Sequence, residues 1–190
     1  MIFYGAIINS NQPTLEEAMQ SLNLNKLSNV HILVDKNNFK LKLYSDSVLV
    51  KTYKVALGRN RSSIKKDSTF FVTPTGKYLV CKIGKHPLYY KILMLNYPNL
   101  KDAAEALKRN VISKDEYRRI IRNQNKYPCS YSKTRLGGGI GIHGIGKYDF
   151  VFRNLPFIFN WTKGSIAISN SDLDELIKVI KIGTEVEIIN

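Results

Sequence analysis

The feature that most constrains the fold is a run of alternating apolar and polar residues in the first third of the chain. Residues 30–35 (VHILVD) are separated by Lys36, Asn37 and Asn38 from residues 39–45 (FKLKLYS), where apolar side chains recur at every second position. The turn-forming tripeptide SDS then leads into the segment VLVKTYKVALG. Because a period of two is typical of half-buried strands, these residues predict a β-meander.

The middle of the chain predicts further strands that are interrupted by a helical insertion. Residues 69–84 favour two strands around a Thr-Pro-Thr-Gly turn, and residues 89–99 favour another strand. The apolar spacing then becomes helical over about 101–124, where Ser113 is a good cap for the second of two helices. The glycine-rich residues 136–146 return to strand.

Helices are also predicted near both ends of the chain. Thr14 is expected to cap a short N-terminal helix, with Glu17 at the capping-box position. Residues 171–183 form an amphipathic pattern, which predicts a helix that Ser171 caps and Gly183 ends. The residues TEVEIIN after it alternate and predict a final strand.

Length and composition favour a single globular domain. The chain has 190 residues, of which 44% are hydrophobic and 23% are charged, as in ordinary globular proteins. No segment approaches the roughly 18 consecutive apolar residues of a membrane span. We expect a helical lead-in over residues 1–28 and one β-rich domain over residues 29–190.

The net charge is the unusual feature of the composition. The chain has 29 Lys and Arg against 15 Asp and Glu, a formal charge of +14. The excess lies within residues 51–136, whereas residues 137–190 are close to neutral. It indicates either a solvated surface that keeps the protein soluble or a polyanionic partner. Because no zinc finger, RNP motif or basic region with heptads is present, charge alone identifies no partner.

The cysteines and two of the histidines suggest structural roles. Cys81 and Cys129 are too few for a disulfide scaffold and match no metal-ligand spacing. Both are interpreted as structural, and their spacing gives no evidence for a disulfide. His31 and His86 are interpreted as structural or exposed. Since no carboxylates or histidines cluster at ligand spacing, neither a metal nor another cofactor is predicted.

Two glycine-flanked motifs near the C-terminus are candidates for chemistry. The first is Ile-His-Gly at residues 142–144, and the second is WTKGSIAI at residues 161–168. Taken singly, a half-buried strand histidine and an ordinary turn would explain them. The glycine run before the histidine is not a phosphate-binding loop, because no Lys-Ser or Lys-Thr follows at the required spacing.

In this order, the motifs resemble the L,D-transpeptidase (YkuD-type) catalytic domain. The resemblance covers about residues 30–189 and rests on VDKNNFKLKLYSDSVLVKTYKVALG, Asp67 with the TPTGKY turn, LNYPNLKDAAEALKRNVISKDEYRRI, the GGIGIHG strand and WTKGSIAISNSDLDELIKVIKIGTEVEII. It implies a mainly β, β-sandwich-like L,D-transpeptidase fold, with an inserted helical hairpin and a C-terminal helix. Residues 29–190 would then form the catalytic domain.

The same resemblance implies the roles of the site residues. Ser165 occupies the position of the family's nucleophilic cysteine, and His143 is the expected general base and acid. Lys163 and Ala167 are typical of the branch of the family with the motif TxGCIA. The candidate oxyanion-hole and substrate-binding residues are Gly164, Thr162, Gly144, Lys163 and Arg135.

Serine at the nucleophile position predicts little or no acyl-transfer activity. A thiol with a pKa of about 8.5 is partly ionised at neutral pH, and a neighbouring imidazole activates it. A serine hydroxyl is a much weaker acid and needs a well-aligned general base. A laboratory Cys→Ser change would explain Ser165, as would a natural serine variant that is a slow hydrolase or a wall-binding pseudoenzyme.

The resemblance implies an acyltransferase that acts on peptidoglycan stem peptides through a Cys/His mechanism. The alternatives are an L,D-carboxypeptidase or amidase of the same fold, and a non-catalytic cell-wall-binding protein. Anionic wall polymers are a further candidate partner, nucleic acid is not expected, and a monomer is. Such chemistry predicts a periplasmic or cell-wall-associated protein, although the N-terminus fits a secretory signal poorly. A removed leader or delivery as a secreted effector would account for this.

Overall fold

A computed structural model describes residues 12–60, 71–126, 129, 134–150 and 160–190, and within them it contains eight strands and four α-helices. The strands are β1 (Val30–Asp35), β2 (Lys40–Ser45), β3 (Val48–Lys54), β4 (Gly76–His86), β5 (Tyr90–Leu95), β6 (Gly141–Gly144), β7 (Ile166–Ile168) and β8 (Glu185–Ile189). The helices are α1 (Leu15–Ser21), α2 (Leu100–Lys108), α3 (Lys114–Lys126) and α4 (Asn170–Val179). The mainly β fold with a helical insertion is therefore confirmed.

The strands form one mixed sheet in the order β3-β2-β1-β8-β4-β5-β6-β7. The pairs β1–β8 and β6–β7 are parallel, and the other pairs are antiparallel. The residues that follow β3 pair with β7, which is the strand at the other end of the sheet. Ala56 N–H donates to the Ala167 carbonyl at 2.9 Å, and Ala167 N–H donates to the Ala56 carbonyl at 2.8 Å. The sheet therefore curls until its two ends meet beside the segment that carries Ser165.

Alternation along these strands buries one apolar core. Side chains from both halves of the sheet and from α4 pack together in it, because each strand turns every second residue inward. The fully buried members include Ile32, Leu41, Leu43, Leu93, Ile142, Ile166, Ile168, Leu173 and Leu176. On α4, Leu173 and Leu176 are three residues apart and share one face, as predicted.

The helical hairpin α2–α3 has a smaller core of its own. Its buried members are Ala103, Ala106, Ile112, Ile120 and Leu136. Leu136 belongs to the segment that approaches β6, so the hairpin packs against the chain just before the histidine strand. The predicted cap at Ser113 is confirmed, since its hydroxyl accepts from Glu116 N–H at 3.1 Å and its own N–H donates to the Glu116 carboxylate.

The cap of α1 is as predicted, but both ends of α4 differ from the prediction, since this helix ends at Val179 and not at Gly183. Thr14 and Glu17 form the expected capping box. The prediction that Ser171 caps α4 is wrong, because the Ser169 hydroxyl accepts from Asp172 N–H at 3.1 Å and the helix begins at Asn170. Ser169 has the extended backbone of an N-cap, whereas Ser171 already lies in the first turn. The predicted strand at residues 69–72 lies mostly outside the described residues.

The spacing of the two cysteines gave no evidence for a disulfide, and the structure contradicts that interpretation. Cys81 of β4 is bonded to Cys129, and their Cα atoms are 5.4 Å apart. The two residues are 48 positions apart in sequence. Spacing along the chain could not reveal the pairing, because the fold of the intervening strand and hairpin decides whether the two positions meet.

Candidate active site

Two parallel strands bring the histidine motif and the serine motif together. Ile142 of β6 pairs with Ile166 of β7, and His143 pairs with Ala167. The isoleucines are fully buried and face the core. Because side chains alternate across a strand, His143 lies on the other face, toward which Ser165 also projects from one residue before β7. The sequence-predicted pair therefore lies on one face of adjacent strands.

Ser165 is positioned by a tight turn that Thr162 holds together. The buried Thr162 hydroxyl accepts from Gly164 N–H at 3.1 Å and donates to the Ser165 carbonyl at 2.6 Å. Gly164 has a φ of 120°, a backbone conformation that favours glycine. Gly141 N–H donates to Ser165 Oγ at 3.3 Å. A donor aimed at this atom favours negative charge on it, which suits a nucleophile.

His143 is buried and held in one orientation. Its side chain is on the strand next to Ser165, and the residue is only 3% exposed. Nδ1 lies 2.7 Å from the Gly144 carbonyl oxygen, which can only accept, so Nδ1 carries the proton and donates. Nε2 is then the basic nitrogen. Burial lowers the pKa of His143 to about 4, although the bond to Gly144 acts in the opposite direction. The imidazole is therefore neutral at pH 7.

The serine and the histidine are not hydrogen-bonded to each other. Across the described part of the chain, the hydrogen bond of Ser165 Oγ is with Gly141, and that of the His143 ring is with Gly144. A serine nucleophile depends on a direct bond to its base. The geometry thus lacks the contact that serine chemistry would need.

Stacked aromatic rings surround His143. Tyr89 stacks on it with ring centroids 4.4 Å apart, and His86 stacks on Tyr89 at 4.8 Å. Trp161 approaches the edge of His143, with centroids 5.8 Å apart. The sequence did not predict the contact of Tyr89 with His143, and it assigned His86 no place near the site. The sequence offers one signal for them, which is that both residues precede β5, a strand followed by the motif Tyr-Pro-Asn.

The turn at His86 fixes the position of Tyr89. Nδ1 of His86 lies 3.2 Å from both Leu88 N–H and Tyr89 N–H, and it accepts from them. These bonds hold the loop between β4 and β5 in a shape that places the Tyr89 ring over His143. His86 therefore acts as a structural residue for the site, one ring away from the candidate base.

Gly144 is required by close packing rather than by its backbone angles. A Cβ atom there would lie 2.5 Å from Asn170 Oδ1 and 3.0 Å from the Tyr89 carbonyl oxygen. Asn170 in turn binds Gly146 through its side-chain oxygen and nitrogen, at 3.0 and 2.9 Å. The glycine after the histidine thus allows the Tyr89 loop and the start of α4 to approach β6.

The remaining predicted residues lie at different distances from this centre. Lys163 is exposed within the turn between Thr162 and Gly164. Arg135 is exposed too, and its backbone N–H donates to the Glu116 carboxylate at 3.0 Å, which places it beside α3. No described contact brings Arg135 to Ser165 or His143. Its assignment to the site remains a prediction.

Within the described ranges, no group of three or more His, Cys, Asp or Glu side chains is arranged to hold a metal ion. No helix there is long and apolar enough to cross a membrane.

Comparison with known families gives one match that covers most of the chain. The model of the YkuD family, the L,D-transpeptidase catalytic domain, matches residues 29–188. This range contains both motifs and all of the sheet except Ile189, the last residue of β8. The comparison with curated proteins gave no match.

Solved structures share the fold at low sequence identity. Bd1075 from Bdellovibrio bacteriovorus is 22% identical with a TM-score of 0.54, and the alignment covers 86% of this chain and 48% of that one. The helical cell-shape-determining protein Pgp2 from Campylobacter jejuni is 18% identical with a TM-score of 0.54, over 92% and 54%. An L,D-transpeptidase from Mycobacterium smegmatis is 10% identical with a TM-score of 0.52, over 86% and 59%. The chain thus spans about half the length of these proteins.

Proposed function

Because this chain belongs to the L,D-transpeptidase (YkuD) catalytic-domain family, we propose that its site is built for acyl transfer on peptidoglycan stem peptides. The observation that supports this most directly is the parallel pairing of β6 and β7, which sets His143 and position 165 on one face. Ser165 replaces the family's cysteine in this arrangement. We therefore expect the chain as it stands to be inactive or weakly active.

The proposed reaction assigns one role to each residue of the pair. With cysteine at position 165, the sulfur attacks an amide carbonyl of the stem peptide, and Nε2 of His143 receives the thiol proton. The carbonyl carbon–nitrogen bond then breaks, and His143 returns the proton to the departing amine. An amine of a second stem attacks the carbonyl carbon of the resulting thioester, and His143 removes a proton from that amine. The carbon–sulfur bond then breaks, and His143 gives this proton to the sulfur, which regenerates the thiol.

The neutral His143 suits a thiol better than a hydroxyl. Burial keeps its pKa near 4 in the resting site, so the free imidazole is a weak base. A thiol with a pKa of about 8.5 needs much less help from such a base than a hydroxyl does, and in a thiolate–imidazolium pair each charge would stabilise the other. A serine hydroxyl is too weak an acid to form such a pair. This difference supports an inactive or weak serine form.

The backbone around Gly164 and Ser165 is the proposed oxyanion hole. Gly164 N–H donates to the Thr162 hydroxyl and so fixes the turn. The neighbouring Ser165 N–H is then the proposed donor to the developing oxyanion, because a fixed N–H group stabilises such a charge without reorganising. Lys163 and Gly144 flank this position and are proposed to contact substrate. Arg135 is proposed as a more distant contact for a substrate carboxylate.

A hydrolytic outcome within the same fold is the second candidate. If water reaches the acyl-enzyme before an amine does, the protein is an L,D-carboxypeptidase or an amidase. Mass spectrometry of products from defined muropeptides, with the Ser165→Cys protein, distinguishes these reactions. A cross-linked or exchanged peptide supports transpeptidation. A shortened stem without exchange supports hydrolysis, and no product from any muropeptide would contradict both.

A non-catalytic wall-binding protein is the third candidate, and the charge of +14 favours it. Its expected property is binding of isolated sacculi that survives His143→Ala and weakens as salt is added. Anionic wall polymers would then be the partner. If binding is lost with His143→Ala but insensitive to salt, recognition depends on the site rather than on the basic surface.

The disulfide supports a location outside the cytoplasm. Disulfides form and persist in oxidising compartments and are rare where glutathione keeps thiols reduced. The bond between Cys81 and Cys129 therefore agrees with a periplasmic or cell-wall-associated protein. Growth of cells that express the full gene, followed by fractionation and thiol labelling, tests this proposal.

A further inference from the structure

One exposed face of helix α3 consists almost entirely of bases. Five exposed side chains lie on this face, at positions that a period of 3.6 residues brings together. They are Lys114, Asp115, Arg118, Arg119 and Arg122. The opposite face of the helix contains the buried Ile120 and packs in the core of the hairpin. We refer to the four basic residues as the basic face of α3.

The neighbouring carboxylates neutralise this face only in part. Asp115 forms the one ion pair that the described residues give to the four bases, with its carboxylate 3.4 Å from Arg118. Glu116 accepts from the N–H of the helix cap at 3.1 Å and from Arg135 N–H at 3.0 Å. The single charge of Glu116 also interacts with the side chains of Arg119 and Arg135. Four bases against these two acids leave a net charge of +2.

The arrangement of these bases is unfavourable for a helix on its own. Arg118 and Arg122 are four residues apart, and Arg119 and Arg122 are three apart, so like charges are neighbours on the surface. A helix face that serves only solubility is expected to alternate its charges and pair them. The sequence outside the described ranges contains one acidic residue, Asp67. A polyanion from another molecule would replace the repulsion along α3 by attraction.

The residue types on the basic face favour carboxylates as ligands. Three of the four are arginine, although the chain has 21 lysines and 8 arginines. A guanidinium is planar and presents a fork of N–H donors that matches a carboxylate. From Lys114 to Arg122 the helix rises by about 12 Å, at about 6 Å for every four residues. Such a row fits a chain with several carboxylates better than one small anion.

We propose that the basic face of α3 binds carboxylate-bearing peptide stems of the wall polymer, next to the stem that enters the active site. The identity of the polymer rests on the proposed function, and a stem that is not cross-linked ends in a free carboxylate. A membrane surface fits this face less well. A helix that lies on a membrane buries its apolar side in lipid, whereas the apolar side of α3 is packed in the hairpin core.

The basic face is joined firmly to the strands that form the site. Near its start, α3 receives the Arg135 N–H at Glu116, and the chain continues from Arg135 into the strand of His143. Near its end, the Gln124 side-chain NH₂ donates to the Pro98 carbonyl at 2.6 Å, just after β5, which pairs with β6. A polymer held on α3 therefore keeps its other stems close to the site, which raises their effective concentration there.

The test is co-sedimentation of the unmodified chain with isolated peptidoglycan sacculi at low and high salt. The triple variant Arg118→Gln, Arg119→Gln and Arg122→Gln removes three charges and retains good helix formers. We expect its affinity at low salt to fall roughly tenfold, because each exposed charge contact is worth a factor of about two. The difference should shrink at high salt. Its Tm should not fall, since the substitutions also remove like-charge neighbours.

A matched control removes the same charge from other parts of the surface. Lys26, Lys40 and Lys181 are exposed, and replacing all three by Gln lowers the net charge by three, as the arginine variant does. We expect this control to keep its affinity within twofold. Equal losses in the two variants would mean that net charge alone attracts the polymer. That result would overturn the proposal, as would full binding by the arginine variant.

Sacculi whose carboxylates have been converted to amides test the chemistry of the ligand. We expect the unmodified chain to bind them at least tenfold more weakly and no better than the arginine variant does. Duplex DNA and phosphatidylglycerol vesicles are the comparison polyanions. Undiminished binding of amidated sacculi, or tighter binding of DNA or vesicles through the same arginines, would overturn the proposal.

Turnover separates this inference from the proposed function. In the Ser165→Cys background, the three arginine substitutions are expected to leave kcat and KM for a free stem tetrapeptide unchanged. They are expected to lower the rate on intact sacculi several-fold when sacculi are limiting. Equal rates on limiting sacculi would overturn the inference. If the cysteine protein turns over neither substrate, the proposed function fails, and sedimentation of the serine chain then decides the inference by itself.

Discussion

The ring of Tyr89 lies against the ring of His143, with centroids 4.4 Å apart and planes inclined by 28°. The contact joins the loop between β4 and β5 to the strand that carries the candidate base. The Nδ1 bond to Gly144 fixes one edge of the imidazole, and the tyrosine fixes its face. Together they leave Nε2 in one orientation, which is what a general base needs.

Removing this ring should therefore affect turnover through the position of His143. In the Ser165→Cys background, we expect Tyr89→Ala to lower kcat roughly three- to tenfold, in line with the worth of an aromatic pair. Tyr89→Phe should keep the rate, because the stacked ring remains. Steady-state kinetics on a stem tetrapeptide measures both. Equal rates in the alanine and phenylalanine variants, with an unchanged pH profile, would rule out a positioning role.

The Thr162 hydroxyl should be a large contributor to the stability of the site turn. Thr162→Val removes the bonds to Gly164 N–H and to the Ser165 carbonyl while keeping the shape of the side chain. Since the residue is 2% exposed, we expect the free energy of unfolding to fall by about 1–3 kcal/mol. Thr162→Ser retains the hydroxyl and should therefore keep most of the free energy of unfolding that the valine variant loses. Urea unfolding compares them, and a valine variant as stable as the serine variant would contradict the account.

The buried neutral His143 predicts a pH dependence of stability. Its pKa is about 6.5 when unfolded and about 4 when folded. The unfolded chain therefore binds the proton first, and stability is full above pH 6.5 and falls as the pH drops toward 4. From this residue alone, we expect a loss of about 2 kcal/mol between pH 7 and pH 5.

The variant His143→Gln isolates this contribution, because it removes the titrating group and leaves the other histidines and carboxylates. Free energies of unfolding at pH 7, 6 and 5 should decrease less steeply for the variant than for the unmodified chain. Parallel curves for the two proteins would mean that His143 is not held neutral in the folded state.

The bond between Cys81 and Cys129 should stabilise the chain by restricting its unfolded state. For a sequence separation of 48, the loop-closure relation gives about 4 kcal/mol at 25 °C. We expect dithiothreitol to lower the urea midpoint of the unmodified chain accordingly. In the double variant Cys81→Ser and Cys129→Ser, the midpoint should be low already and insensitive to the reductant. No response of the unmodified chain would contradict a disulfide between these residues.

Much of the fold could be predicted because the signals are local. Period-two alternation in residues 30–54 and the caps at Thr14 and Ser113 each depend on neighbours a few positions away. The pairing of the histidine and serine motifs came from their resemblance to a family rather than from any local rule. The cap of α4 was misplaced because Ser169 and Ser171 are both suitable residue types, and only the start of the helix distinguishes them.

The features that sequence reasoning missed all depend on long-range geometry. Cys81 meets Cys129 only after the hairpin has folded between them. Tyr89 and His86 reach His143 because the β4–β5 loop folds over β6. Lys36 follows the first strand and resembles any exposed turn lysine in the sequence. It is only 8% exposed in the fold, where its N–H donates to the Ile189 carbonyl of the last strand at 3.0 Å.

The central claim is that position 165 and His143 form an acyl-transfer pair that the serine hydroxyl disables. The most direct measurement compares turnover of a stem tetrapeptide by the unmodified chain, by Ser165→Cys, and by Ser165→Cys with His143→Ala. We predict a gain of at least a hundredfold with the cysteine, and its loss when His143 is removed. A correctly folded Ser165→Cys protein that is no more active than the serine form would contradict the account.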